Sequence, residues 1–198
     1  MAVDSTTLPM LLPGVVRRIK LRHVICAPRH YLDKSHPALW IAEELADAFP
    51  RARFIGIERD VFGTVASMLK HRGILRWQRT WREYPVPNQF LGITEDIAAI
   101  YDELDTPARC AVRWQAHIER ARQLEVSLGD RFLVVRYDRL VKETDSVLST
   151  LREALGLSTP IPPPLVNTDS LYQWRRELDD ASLHSIAKWT GQTPPSDS

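Results

Sequence analysis

The sequence predicts an α/β fold in which helices flank a parallel sheet. Two short, unbroken apolar runs, at residues 54–57 and 132–135, are typical of strands that are covered on both faces. Segments with the period of helices alternate with them, which indicates parallel strands joined by helices. With 198 residues, of which 44% are hydrophobic, the chain can form one domain with a sizeable core but not two ordinary domains.

The first third of the chain is predicted to contain two strands and a helix. Residues 23–27 fit a short strand. Pro37 suits the first turn of a helix that has an apolar residue at every fourth position and ends before Pro50. Arg59 follows the strand at 54–57, and ligands in open α/β sheets collect at the carboxyl ends of strands. A functional role is therefore predicted for Arg59.

The middle of the chain is predicted to contain a helix and a long functional loop. The helix after Arg59 has its apolar residues on one side, so that Ser67 falls on the other. Residues 73–92 show neither a helical nor a strand period and carry several aromatic residues among arginines. Long irregular connections in compact domains are usually lids or binding loops, and the aromatic content argues against disorder.

The remaining segments complete the alternation of helices and strands. Besides the strand at 132–135, four helices and a linker are predicted. In chain order they are a helix around 93–104, a helix from its cap Thr106 to Gly129, a helix capped by Asp145, a proline-rich linker at 158–168, and a last helix at about 171–189. Residues 191–198 are polar and are expected to form a disordered tail.

Positive charge is concentrated in one early segment, although the formal net charge of the chain is only +1. That net charge gives no reason to expect nucleic acid or an anionic membrane as a partner, so any anion binding has to come from local clustering. The cluster fits either a solvated basic face or an anion site. Its only acid is Asp33, and its basic residues and histidines are Arg17, Arg18, Lys20, Arg22, His23, Arg29, His30, Lys34 and His36.

The cysteines and the N-terminal apolar patch indicate a soluble, cytoplasmic protein. Cys26 and Cys110 have no metal-ligand spacing and make no disulfide framework, which fits a reducing compartment. The apolar patch around Leu11 is interrupted by Pro9 and Pro13, so it is too short for a membrane span and makes a poor signal peptide. We expect neither a bound metal nor a membrane partner.

Several motifs, taken in their order along the chain, carry a family resemblance. Lys34-Ser35-His36-Pro37 is followed by a helix-like run, a strand-like run, Arg59 and, eight residues later, Ser67. This order resembles the nucleotide-binding half of the sulfotransferases, which use 3′-phosphoadenosine-5′-phosphosulfate as donor. The spacing from the arginine to the serine matches the family, in which these two residues bind the 3′-phosphate of the donor.

The second half of the chain extends the resemblance. The segment from Gly129 through Arg136-Tyr137-Asp138 is similar to the family's arginine-tyrosine-glutamate-aspartate-leucine segment, with aspartate in place of the glutamate, and Trp174-Arg175 is similar to a common C-terminal segment. The resemblance covers roughly residues 28–190. It divides the chain into a basic N-terminal segment (1–27), a sulfotransferase-like domain (28–190) and a disordered tail (191–198), with an N-terminally truncated version of the P-loop-like sulfotransferase fold.

The resemblance implies roles for individual residues. Lys34 would stabilise charge on the leaving phosphate, and His36 would take a proton from the acceptor; His36 also fits a helix-cap or surface histidine. Arg59 and Ser67 would bind the 3′-phosphate. Lys34 also fits a surface lysine, and Arg59 also fits a structural ion pair. Other candidates are Tyr137 and Arg175 at the donor, although Tyr137 also fits a packed residue at a strand end, and Trp77, Trp81 and Tyr84 at the acceptor. The acceptor would be a small molecule with a hydroxyl or amine.

One motif of the family is not found in the sequence. The family's glycine-rich and hydroxyl-rich phosphosulfate loop has no counterpart before Lys34, where Leu12-Pro13-Gly14-Val15 offers one glycine and no hydroxyl. Three hypotheses follow: a sulfotransferase or a fragment of one, a noncatalytic relative that binds an adenine nucleotide or a partner chain, and, far behind, a nucleic-acid-binding protein. A complementing N-terminal segment or a second copy of the chain is an expected partner of the first.

Overall fold

The computed structural model describes residues 7–26 and 31–194. Within them the helices are α1 (Thr7–Cys26), α2 (Ala42–Ala48), α3 (Val61–Leu69), α4 (Arg72–Arg79), α5 (Glu95–Ile100), α6 (Thr106–Leu128), α7 (Tyr137–Lys142), α8 (Thr144–Ala154) and α9 (Asp180–Thr190), and the strands are β1 (Phe54–Glu58) and β2 (Phe132–Arg136). Short 3-10 turns lie at His36–Trp40, Trp81–Glu83, Tyr101–Glu103, Gly129–Arg131, Thr168–Leu171 and Gln173–Arg176.

The two strands confirm the predicted α/β class with a parallel sheet flanked by helices. β1 pairs with β2 in parallel, with Phe54 opposite Phe132 and Glu58 opposite Arg136. One face of this sheet packs on α2 and α6, where buried Phe132 contacts Ala42 and Leu124. The long α6 therefore forms the support behind the sheet.

The prediction that both strands are covered on both faces is wrong for β1. Ile55 and Ile57 point away from α6, with 38% and 64% of their surface exposed. In the described residues β1 pairs only with β2, so its second edge has no strand beside it. An unbroken apolar run records the residue types, but the helices that cover each face are brought in by distant parts of the chain.

The main core lies where α3, α6 and α9 meet. The apolar side of α3 predicted from its periodicity is buried, and Phe62 and Val65 of that side pack with Ala111 of α6 and Ile186 of α9. The helix predicted from Thr106 to Gly129 is confirmed as α6 with Gly129 as its C-cap, although Asp105 rather than Thr106 caps its start through the Ala108 amide.

The predicted long loop at residues 73–92 is wrong in its first half. Residues 72–79 form α4, which buries Ile74 and Gln78 and exposes its arginines. His71 caps the start of this helix through the Ile74 amide. This helix has only eight residues, and its apolar residues alternate with charged ones, so the sequence shows no clear helical period there. Only the part after the turn at Trp81–Glu83 is irregular.

Three other boundaries differ from the sequence prediction. Residues 23–26 are the last turn of α1 rather than a strand, while Ala27 lies outside the described residues. The helix expected from Pro37 is a 3-10 turn followed by the short α2. The last predicted helix is two 3-10 turns followed by α9. The tail residues 195–198 lie outside the described residues.

The described side chains of the basic N-terminal helix lie at the surface. The described side chains of α1 are half-buried or exposed, and Arg17, Arg18, Lys20 and Arg22 are all exposed. Pro13 and Gly14 lie inside this helix, so the described backbone there is not a loop. No helix among the described residues is long and apolar enough to cross a membrane.

The close packing of β1 on β2 gives a stability test. A Cβ added at Gly56 would lie 3.0 Å from the ring of Phe132. We expect Gly56→Ala to lower the free energy of unfolding by about 1 to 3 kcal/mol, the usual result of overpacking a core, in urea denaturation. Gly14→Ala is the control, since its Cβ would meet nothing within 4 Å. An equal effect of both substitutions would contradict the packing of the sheet.

Candidate functional site

Arg59 lies immediately after the carboxyl end of β1, as the sequence predicts. Glu58 is the last residue of β1 and Val61 the first of α3, so the chain turns sharply at Arg59 and Asp60. The Asp60 carboxylate caps α3 by accepting a hydrogen bond of 2.7 Å from the Gly63 amide. This cap fixes the start of α3 and with it the direction in which the Arg59 side chain leaves the sheet.

The backbone of Arg59 is held by α6. The indole Nε1–H of Trp114 donates a hydrogen bond of 3.0 Å to the Arg59 carbonyl. The Thr64 hydroxyl also lies 3.5 Å from this carbonyl, so the indole is the closer of two side-chain donors to a group that would otherwise lose a hydrogen bond on burial. The bond ties the candidate arginine to the longest helix of the chain.

The guanidinium of Arg59 lies between α7 and the turn at Thr168–Leu171. Its Nη2 donates a hydrogen bond of 2.6 Å to the Ser170 carbonyl, and its Cζ lies 4.8 Å from the centre of the Tyr137 ring. The Tyr137 hydroxyl and the Ser170 hydroxyl are 3.0 Å apart and share a hydrogen bond. Thus the structure brings Arg59 and Tyr137, two of the predicted donor-site residues, into direct contact.

Part of the guanidinium still has hydrogen-bonding capacity. The Arg59 side chain is about one quarter exposed, at 25%. Its Nε is buried and donates no hydrogen bond, although it forms an ion pair at 3.8 Å with Oδ2 of Asp60. A partly exposed arginine suits an oxyanion such as phosphate, two of whose oxygens accept two parallel hydrogen bonds.

Gly63 leaves room for this guanidinium on the surface of α3. A Cβ at Gly63 would lie 2.6 Å from the Arg59 Nε, so only glycine admits the arginine in this position. Ser67 follows Gly63 by four residues and therefore lies on the same side of the helix, one turn further. Its side chain is exposed. Arg59 and Ser67 thus share one face of α3.

The C-terminal candidate Arg175 lies in a segment that docks on α3. Trp174 is buried and its ring is 5.2 Å from that of Phe62 in α3. The guanidinium of Arg175 lies 5.3 Å from the rings of Tyr172 and Trp174. Since Trp174 belongs to the main core, its role as a packed residue agrees with the burial. The assignment of Arg175 to the donor site remains a prediction.

The two predicted catalytic residues lie on a different segment from Arg59. Lys34 is exposed in the irregular stretch before the turn at His36–Trp40, and no described hydrogen bond or ion pair joins it to Arg59. His36 begins that turn with its backbone, but its side chain lies outside the described part. Their roles remain predictions.

The three aromatic candidates belong to a second apolar cluster. Trp81 is buried there, and its indole donates a hydrogen bond of 2.8 Å to Asp102. Trp77 and Tyr84 pack half-buried against the same cluster, and Trp77 also touches the main core. No described contact joins the three rings to Arg59. Whether they bind an acceptor remains a prediction.

The residues that hold Arg59 in place were not predicted from the sequence. Trp114 lies within the helix predicted from Thr106 to Gly129, and Ser170 lies between the predicted linker at 158–168 and the helix predicted from about residue 171. Trp114 and Ser170 are 55 and 111 residues away from Arg59 along the chain. Their spacing carries no local signal. Gly63, a glycine inside a helical pattern, is a sign of close approach that the sequence does offer.

The comparison with known proteins identifies the family of the chain. A sequence model of the sulfotransferase family matches residues 14–160, which is more than half of the chain. It includes Lys34, Arg59, Ser67, Trp114 and Tyr137. No curated protein and no solved structure matched the chain. Among the described residues, no group of three or more His, Cys, Asp or Glu side chains could hold a metal ion.

The bond between Trp114 and Arg59 predicts a measurable loss of stability. Trp114→Phe removes the donor to a partly buried carbonyl, so the free energy of unfolding should fall by about 1 kcal/mol beyond the effect of the smaller ring. Trp189→Phe is the control, because Trp189 also packs half-buried against the main core but its indole makes no described hydrogen bond. Equal losses in denaturant titrations would show that the bond contributes nothing.

Proposed function

The chain belongs to the sulfotransferase family, and we propose that it is a sulfotransferase, or a fragment of one, that uses 3′-phosphoadenosine-5′-phosphosulfate. It would transfer the sulfuryl group of this donor to the hydroxyl or amine of a small acceptor. The observation that carries the proposal is the position of Arg59, a partly exposed arginine with an unused donor at the carboxyl end of β1.

Arg59 and Ser67 would bind the 3′-phosphate of the donor. The guanidinium supplies charge and two directed N–H groups, and the hydroxyl one turn further along α3 supplies a third donor. An incoming phosphate would compete with the Ser170 carbonyl for the Nη2 of Arg59. Tyr137, whose ring lies against the guanidinium, would keep it in plane, and Arg175 would add positive charge from the C-terminal segment.

The chemical step would depend on the basic segment before α2. Sulfuryl transfer moves an electrophilic group in line between two oxygens, so positioning and stabilisation of the leaving phosphate are the main requirements. Lys34 would supply the positive charge, and His36 would take the proton of the acceptor because its ordinary pKa lies near neutrality. Trp77, Trp81 and Tyr84 would line the side from which the acceptor approaches.

A noncatalytic role is the second candidate, and one observation favours it. Arg59 is already engaged by Ser170 while no described contact joins it to Lys34, so the chain can present an anion site without the groups for transfer. Such a protein would bind an adenine nucleotide or a partner chain.

Under the first candidate, a segment with the phosphosulfate loop would complete the site. A further strand could pair with the edge of β1 that has no partner among the described residues, beside the exposed Ile57.

Transfer itself is tested by detecting the product. The purified chain is incubated with the donor and a panel of phenols, alcohols and amines, and the sulfated product is sought by mass spectrometry. We expect product with at least one acceptor and its loss in Lys34→Ala, since the leaving phosphate would lose its cation. Arg152→Ala, on the distant α8, is the control. Nucleotide binding without product from any acceptor would support the noncatalytic role.

The donor site is tested by a pair of nucleotides. If Arg59 binds the 3′-phosphate, Arg59→Ala should weaken binding of 3′,5′-adenosine bisphosphate by about 2 to 4 kcal/mol and leave adenosine monophosphate nearly unchanged. Isothermal titration measures both. Arg53→Ala, at the other end of β1, should change neither affinity, since Arg53 only donates to the Asp130 carbonyl. Equal losses for both nucleotides would refute the assignment.

A further inference from the structure

Arg113, in helix α6, is a buried arginine that has no counter-ion among the described residues. Arg113 is only 2% exposed, and its Nη1 makes a weak hydrogen bond of 3.8 Å to the sulfur of Met68. Its Cζ lies 4.6 Å from the centre of the Phe90 ring. No carboxylate of the described residues forms an ion pair with it. The guanidinium is therefore enclosed by a thioether and an aromatic ring.

The charge of Arg113 is retained in this environment. Burial lowers the pKa of Arg113 to about 10, so the side chain is still a cation at neutral pH. The neighbouring Tyr101 and Cys110 cannot neutralise it, because burial raises the pKa of each and keeps both uncharged. A buried charge without a partner is among the most unfavourable features that a folded protein carries.

Other arginines of the same helix show what a paired side chain looks like. Arg120 forms an ion pair with Glu43 and also donates to the Leu39 carbonyl. Arg109 donates to the backbone carbonyls of Tyr101 and Asp102. Arg113 has no comparable acceptor. The difference lies in its surroundings and not in the helix.

Several unused hydrogen-bond donors accompany Arg113. Among the described residues near Phe90, four buried side-chain donors make no hydrogen bond: the Nε of Arg113, the hydroxyl of Tyr101, the Nε1 of Trp40 and the Nδ2 of Asn88. Trp40 and Tyr101 belong to the same apolar cluster as Phe90, and Asn88 begins the turn that carries Phe90. Each of these atoms can donate. The region thus combines a cation with several spare donors.

We propose that the region beneath Phe90 is a site for an oxyanion, a carboxylate, sulfate or phosphate group that belongs to the acceptor molecule, with Arg113 as its cationic anchor. An oxyanion supplies the counter-charge and accepts hydrogen bonds from these donors. The link to the acceptor rests on the proposed function, since Trp77 and Trp81 pack in or against the same cluster. The acceptor would then be an acidic compound that presents its hydroxyl or amine at a distance from its anionic group.

The turn that carries Phe90 would have to open for such a ligand. Asn88 and Ile93 close it through two backbone hydrogen bonds of 2.7 and 2.9 Å. It rests directly on α6, since a Cβ at Gly92 would lie 2.6 Å from the Val112 carbonyl. Phe90, which is 4% exposed, covers the guanidinium as a plug. Two further hydrogen bonds, from the Leu91 amide to the Asn88 side chain and from the Gly92 amide to the Gln89 carbonyl, hold the turn together, so it would move as a unit and take the buried Leu91 and Ile93 with it.

The test compares two arginines of the same helix. Benzoate, phenyl sulfate and inorganic sulfate are titrated calorimetrically into the full chain and into Arg113→Met, Arg113→Lys and the control Arg120→Met. We expect the aromatic anions to bind the wild type and to lose at least ~10-fold in affinity in Arg113→Met, the loss of one charge-assisted hydrogen bond. Arg113→Lys should lose less, because it retains the charge without the fork.

The thermal stability of the same variants gives an independent test. Arg113→Met should raise the thermal midpoint, because it replaces an unpaired buried charge by an apolar side chain of similar length. Arg120→Met should lower the midpoint and leave anion affinity unchanged. A lowered midpoint together with unchanged anion affinity in both Arg113 variants would show that Arg113 only packs against Phe90, and would overturn the inference.

Two other results would contradict the acceptor assignment. If no aromatic anion binds the wild type, or if inorganic sulfate binds as tightly as phenyl sulfate, the acceptor assignment is wrong. These titrations require no sulfuryl transfer. Formation of sulfated product without anion binding at Arg113 would therefore refute the inference and leave the proposed function intact. Anion binding at Arg113 without product would leave the anion site intact, but it would refute the proposed function and with it the link to an acceptor.

Discussion

The position of Arg59 at the end of β1 is the constraint on which the candidate site depends. Its carbonyl accepts from Trp114 of α6, and its guanidinium donates to the Ser170 carbonyl beside Tyr137 of α7. Gly63 provides the space. These contacts require the sheet, α3, α6, α7 and the C-terminal turn to be assembled together, so the site forms only when the domain folds as a whole.

Helix α6 links the fold to both proposed anion sites. It packs against the sheet and against α3 and α9. Successive residues of this one helix, Arg113 and Trp114, then reach in different directions: Arg113 lies under Phe90 and Trp114 reaches the carbonyl of Arg59. A rigid helix that carries neighbouring groups fixes their separation better than loops do. If both sites bind as proposed, α6 sets the distance between donor phosphate and acceptor anion.

The sequence was sufficient for features that depend on local pattern and insufficient for those that depend on distant contacts. The two strands, the long helix ending at Gly129 and the place of Arg59 follow from apolar runs, a C-terminal glycine and strand direction. The exposure of Ile57 could not be predicted, because it depends on which helices cover each face. Nor could the contact with Ser170, 111 residues away, or the missing counter-ion of Arg113. Residue type gives a cation, but only the fold shows whether an acid reaches it.

The most direct test of the account changes the space around Arg59 and not the arginine itself. In Gly63→Ala the new Cβ, within 2.6 Å of the Arg59 Nε, would force the guanidinium away from α3. Alanine also favours a helix by about 1 kcal/mol over glycine, so stability should not fall. The account predicts that titration calorimetry shows at least a ~10-fold weaker affinity for 3′,5′-adenosine bisphosphate in a variant that unfolds no more readily than the wild type. An unchanged affinity would contradict the claim that Arg59, in the place where the structure has it, forms the anion site.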